Sequence, residues 1–199
     1  MSTNYAEIIR NNLDRAFSTG AADMAPRMGA VEAGGVYRFR AFGRSCDVTP
    51  GGVILNGQPE TGVLGVLVSL YAVNASTESL VLEPMLSYKD LPGTMPYHGA
   101  FAANTERPLI PRVDAIHAAS GQIVDDLGGI EAPAGVSADF AFVVTPLPKI
   151  ALCYLFYEAD EDFPASATCL YSNNCNCHMP VDGLADVGEY TTKRILELV

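Results

Sequence analysis

Two apolar runs, Phe140 to Thr145 and Ile150 to Tyr157, constrain this chain more than any other feature of it. Both are rich in aromatic and β-branched residues, and the Pro146-Leu147-Pro148-Lys149 between them allows a reversal of direction but no helix. They are expected to be antiparallel neighbours at the centre of a sheet. Ser166 to Tyr171 fits a further strand. Near the other end, Val36 to Phe42 alternates, with Tyr37, Phe39 and Ala41 on one face and Arg38 and Arg40 on the other, as a half-buried strand requires. Gly43-Arg44 turns the chain into a second strand, Arg44 to Thr49, and Pro50-Gly51-Gly52 turns it again into Val53-Ile54-Leu55. That makes a meander of three short strands.

Helical periods lie between and outside these strands. Tyr5, Ile8, Ile9, Leu13, Ala16 and Phe17 share one face of residues 3–19, opposite Glu7, Arg10, Asn11 and Asp14, and Gly20 supplies a stop. The stripe has no partner nearby in sequence, so this helix packs on a distant part of the chain or stands as an appendage. Residues 61–74 are apolar on nearly every side, which predicts a buried helix capped by Thr61; the β-branched content makes a strand the rival reading, and the length favours a helix. Residues 108–127 carry Val113, Ile116, Ile123, Val124 and Leu127 at helical spacing and end at Gly128-Gly129, a loop follows from Glu131 to Ser137, and Asp182 to Val199 ends in a helix. Strands near both ends around a helical middle predict an α+β fold with a mainly antiparallel sheet.

The 199 residues suit one globular domain, and 49% apolar against 18% charged residues is ample material for a core. The 23 acidic and 12 basic side chains leave a charge of −11, which repels phosphate backbones and anionic lipid, so neither nucleic acid nor a membrane surface is expected as a partner. No signal or transit pattern is read at the first residues, and the longest apolar run, Val63 to Val73, is interrupted by Gly65 and Ser69 and too short for a bilayer. A cytoplasmic protein with five reduced cysteines is the expectation. Dinucleotide, P-loop, serine-elbow and His-Glu-x-x-His signatures are absent.

Four segments carry a resemblance: Phe39-Arg40-Ala41-Phe42-Gly43-Arg44; Ser87-Tyr88-Lys89-Asp90-Leu91-Pro92-Gly93 with Tyr97 and Phe101; Tyr157-Glu158-Ala159-Asp160-Glu161-Asp162-Phe163-Pro164; and Leu184-Ala185-Asp186-Val187-Gly188. In this order and spacing, over roughly residues 30–198, the chain resembles the prokaryotic family known as domain of unknown function 3786. Some members of that family resemble this chain fused to a four-cysteine iron–sulfur module, so the resemblance implies a setting near anaerobic one-carbon or corrinoid metabolism. It supplies no reaction and no catalytic residue.

Three constellations could carry chemistry. Cys169, Cys175, Cys177 and His178 are zinc or iron ligands by type, although Cys175-Asn176-Cys177 is tighter than a Cys-x-x-Cys knuckle and lies outside the family pattern. The plain alternative is a buried strand cysteine followed by a turn. Glu158, Asp160, Glu161 and Asp162 crowd carboxylates after a strand, and continued alternation would send Glu158, Asp160 and Asp162 the same way, toward a cation or an acid/base site. Equally, they could be a solvated strand end. Tyr97 and His98, with Lys89, Arg107 and Arg112 nearby, suit a small anion, against a reading in which Tyr97 packs on the core; His117 reads as a residue at the helix boundary. The leading expectation is an accessory module that holds a small molecule or a protein partner in a pocket near the Pro92-Gly93-Thr94 loop and the Glu158–Asp162 block. The alternatives are a metal-binding protein or metal-dependent enzyme using the cysteine cluster, and an interaction subunit or homo-oligomer with a buried apolar face.

Overall fold

A computed structural model describes residues 4–18, 23–130, 132–133 and 136–199; Thr3 and Thr19 of the first predicted helix with Gly20 at its stop, and Glu131, Ala134 and Gly135 of the predicted loop, lie outside them. The chain begins with α1 (Tyr5–Ser18) and the short α2 (Met24–Met28), then enters a meander of β1 (Val31–Ala33), β2 (Val36–Ala41), β3 (Arg44–Thr49), β4 (Gly52–Leu55) and β5 (Gln58–Pro59). The expected three strands are β2 to β4. The edge strands β1 and β5 are exposed along their lengths and too short to show any alternation. Tyr37, Ala41, Cys46, Val48, Val53 and Leu55 face the core, while Arg38 pairs with Asp47 across the outer face at 3.4 Å.

The apolar stripe of α1 lies on α3 (Val63–Asn74), with Ile9, Leu13 and Ala16 buried and Asn12 donating to Ser69 Oγ at 3.1 Å. Gly62, not Thr61, is the N-cap of α3: the Glu60 carboxylate accepts the Gly62 N–H at 2.7 Å, which leaves the threonine one residue too early to cap. At the other end Arg27 fills the role of a C-cap. Its guanidinium donates to the carbonyls of Ala75 (2.9 Å), Val73 (2.9 Å) and Ala72 (3.3 Å), satisfying acceptors that a helix end leaves orphaned.

The second half contributes β6 (Leu86–Ser87), α4 (His98–Phe101), α5 (Val113–Leu127), β7 (Phe140–Leu147), β8 (Ile150–Tyr157), β9 (Ser166–Tyr171) and α6 (Val181–Leu196). The α+β architecture is the one expected, with the strands divided between two antiparallel sheets, the second ordered β6-β9-β8-β7. β8 is central as predicted. β7 is an edge strand that runs two residues further than expected, through Pro146 and Leu147, with a bulge between Val144 and Leu147. Proline, which has no N–H to give, is tolerated at such a place, and here its carbonyl accepts the Phe42 N–H at 2.7 Å, joining the two sheets. The helix expected from residue 108 becomes regular only at Val113; Pro108 and Pro111 hold residues 107–112 in 3₁₀ turns, and Ala102–Glu106 before them form a π turn. α5 ends at Gly128, which adopts φ +70°.

One core joins both sheets to the helices, while Leu80, Leu82 and Met85 cover a second apolar patch on Val143, Ala151 and Cys153. The second sheet is therefore covered on both faces, which is why β7 and β8 read as continuous apolar runs. Among the described residues no helix is long and apolar enough to cross a membrane.

Candidate functional site

The chain leaves the second sheet at Ser87, which pairs with Leu170, and turns through Tyr88–Asp90. Beyond that pairing the Cys169 N–H has no strand to meet on this edge. Glu106, the last residue of the π turn, fills the gap: its Oε1 accepts from Cys169 N–H at 3.1 Å. A cavity of about 220 Å³ opens beside it, lined by Ser87, Tyr88, Lys89, His98, Phe101, Ala102 and Glu106. Its wall is aromatic. Tyr88 and Phe101 stack with centroids 4.3 Å apart, both sit 5.9 Å from Tyr171, and the Tyr88 hydroxyl donates to Val181 O at 2.8 Å. Burial raises the Glu106 carboxyl above its ordinary value, opposed by the Cys169 N–H and by the positive charge of Lys89. His98 Nε2 lies 3.0 Å from Thr94 Oγ1, whose own hydroxyl donates to Leu91 O at 2.7 Å.

Two of the four segments that carry the resemblance meet at this cavity. Ser87-Tyr88-Lys89 and Phe101 line it, and Gly188 lies directly behind, so close that a Cβ there would stand 2.9 Å from Phe101 Cε2 and 2.6 Å from Tyr171 Oη. Of the residues expected to bind an anion, His98 and Lys89 line the cavity, whereas Tyr97, 38% exposed, Arg107 and Arg112 do not. Glu106 is not among the residues the sequence singles out; a lone acidic residue before Arg107-Pro108 carries no motif, and only the fold brings it to the Cys169 N–H.

The acidic block lies elsewhere. β8 ends at Tyr157, so the alternation that would align Glu158, Asp160 and Asp162 ends with it. Asp160 closes its own turn, its Oδ1 accepting the N–H groups of Asp162 (2.8 Å) and Phe163 (2.6 Å). Glu158 alone of the block meets a side chain of another element: its Oε1 stands 2.7 Å from His117 Nδ1, and its N–H donates to Asp139 Oδ2 at 2.7 Å. The His117 ring stacks on Phe140 at 4.2 Å, and Asp114, His117, Ala118 and Glu158 line a separate shallow depression. A carboxylate at Nδ1 accepts from that nitrogen and orients the ring. The predicted pocket is therefore not formed: Glu158 lines this depression, Lys89 and His98 on either side of the Pro92-Gly93-Thr94 loop line the other cavity, and the loop itself lines neither. A larger cavity of about 600 Å³ separates α1 from the turns of the meander, but its lining is chiefly apolar and the Glu60 Oε1 there is already used by the Gly62 N–H.

The cysteine cluster is dispersed. Cys169 faces the core from β9 and Cys175 is buried in the turn after it, where burial pushes its thiol up to about 12, while Cys177 is exposed. Among the described residues no three His, Cys, Asp or Glu side chains are grouped to hold a metal ion. His178 is fully buried; its Nδ1 accepts the Ser76 N–H at 3.3 Å, and its Nε2 has no partner among the described residues. Lys149, also buried, donates from Nζ to Ser76 O at 2.6 Å. Burial first, and then the Lys149 charge, lower the His178 pKa, with Glu78 opposing.

The folded chain therefore takes up this proton at a lower pH than the unfolded chain. The resulting stability is present above about 6.5, the ordinary histidine value, and is lost as pH falls through the folded value. Urea midpoints at pH 7.5 and 5.5 are expected to fall for the wild type and to fall less for His178→Gln, which cannot charge. Equal losses in the two proteins would show that His178 is not the group responsible.

Compared with known proteins, residues 21–194 match the family described as Domain of unknown function (DUF3786). No curated protein and no solved structure matches the chain.

Proposed function

The chain belongs to the DUF3786 family, and from that premise we propose that it is a small-molecule-binding accessory module whose ligand site is the cavity between Ser87 and Glu106. The observation that carries this reading is convergence: a hydroxyl and a base from residues 87–89, the imidazole of His98 and the carboxyl of Glu106 line one space with an aromatic wall. A half-buried carboxyl raised by its surroundings supports it further. The π turn that delivers Glu106 adds to this, because such turns occur often at functional sites. All five cysteines are free thiols, four of them buried, which suits the cytoplasm.

The test is amide chemical-shift mapping of the ¹⁵N-labelled chain against a library of small fragments. Perturbations should cluster at residues 87–106, and Ala102→Leu, which fills the cavity, should abolish them. Ala118→Leu, in the separate depression beside His117, should leave them unchanged. Shifts clustered in the α1 cavity or beside His117 instead would move the site there and refute this reading.

A further inference from the structure

We propose that the cavity takes a small zwitterion, its ammonium group at Glu106 and its carboxylate at Lys89, an inference that rests on reading the cavity as a ligand site. The two residues line the same space, yet among the described residues neither enters an ion pair. Glu106 uses Oε1 for the Cys169 N–H, and its Oε2 makes no hydrogen bond among the described residues. Lys89 is close enough for its charge to act on Glu106 without touching it. Two opposite charges held apart across a gap are both completed only by a ligand that carries both charges. A simple anion would meet Glu106 as a like charge, and a simple amine would meet Lys89 so.

His98 is held in place beside them. Thr94 has one hydroxyl proton and gives it to Leu91 O, so its Oγ1 must accept from His98 Nε2–H. The wider surroundings favour the ammonium end: the Tyr88 phenol is raised by burial first and then by nearby negative charge, Asp182 and Asp186 included. At ~30 Å³ per water the cavity holds the equivalent of about seven. That is room for a small ligand.

Calorimetric titration of the full chain with 4-aminobutyrate, butyrate and butylamine separates the two charges on one carbon skeleton. The zwitterion should bind at least about tenfold more tightly than either single-charge probe, the effect of one charge-assisted hydrogen bond. Glu106→Gln and Lys89→Met should each remove that advantage. Glutamine keeps an acceptor for the Cys169 N–H, so the variant tests charge rather than fold, and an unchanged circular dichroism spectrum verifies this. Butyrate or butylamine binding as tightly as the zwitterion, full affinity retained in Glu106→Gln, or no heat from any of the three probes at millimolar concentration would overturn the proposal. If fragments still shift residues 87–106 in that event, only the ligand class falls. If nothing shifts there, the site falls with it.

Discussion

Phe156→Ala is expected to cost about 3–5 kcal/mol of stability, the range for emptying a buried aromatic site. Phe156 is fully buried on the central strand β8, opposite Phe140 on β7 and Ala167 on β9. Its ring stacks on Phe140 at 4.6 Å and lies 5.5 Å from Phe142 and 6.4 Å from Tyr154, so four rings share the volume that alanine would vacate. Strands on both sides hold β8 in place, and collapse around the gap is limited. The same substitution should be felt at the surface, because Phe140 also carries the His117 ring. Hydrogen exchange at the Glu158 amide, bonded to Asp139, should quicken by more than global destabilisation accounts for. Phe156→Leu refills most of the volume without the stack and should cost about 1–2 kcal/mol. Equal costs for leucine and alanine would mean that ring stacking, not volume, holds this part of the sheet.

That strand pair is also where the fold is most legible in the sequence. Ile150 to Tyr157 announces a central strand because burial on both faces leaves no polar position to break the run. β2 to β4 are legible through alternation and glycine-bearing turns. β1 and β5 escape because two or three exposed residues carry no period, and the π turn at 102–106 escapes because its backbone answers to tertiary contacts rather than to local propensity. The site divides in the same way. His98 and Lys89 are within reach because they flank a strong turn signal, Pro92-Gly93. Glu106 is not, since what gives it meaning is an unpaired N–H on β9, 63 residues away in sequence. The acidic block misleads because the alternation rule is carried past Tyr157, where the strand stops and Asp160 spends its carboxylate on its own loop.

Gly188→Ala should lower stability by about 2–3 kcal/mol, as overpacking of a tight interior does. It should also abolish ligand binding at residues 87–106. Gly188 lies within α6, where alanine is ordinarily the better residue by about 1 kcal/mol. Here the helix gains nothing from it. An added Cβ would stand 2.6 Å from Tyr171 Oη, 2.9 Å from Phe101 Cε2 and 3.1 Å from Thr105 Cγ2. None of the three can swing aside. Tyr171 is fixed by its hydrogen bond to Leu184 O at 2.7 Å, Phe101 is stacked on Tyr88, and Thr105 is fully buried, its carbonyl accepting from Thr192 Oγ1 at 2.8 Å. Relief must come from separating α6 from the segment of Phe101 to Glu106, and that movement carries Glu106 away from the Cys169 N–H and opens the aromatic wall. Gly121→Ala is the matched control: it too is a helical glycine, on α5, and its Cβ would meet nothing within 4 Å. It should stabilise by about 0.5–1 kcal/mol and leave binding intact. Were Gly188→Ala to stabilise like the control, α6 would not be pressed against the cavity wall, and the convergence that identifies the site would lose its physical basis.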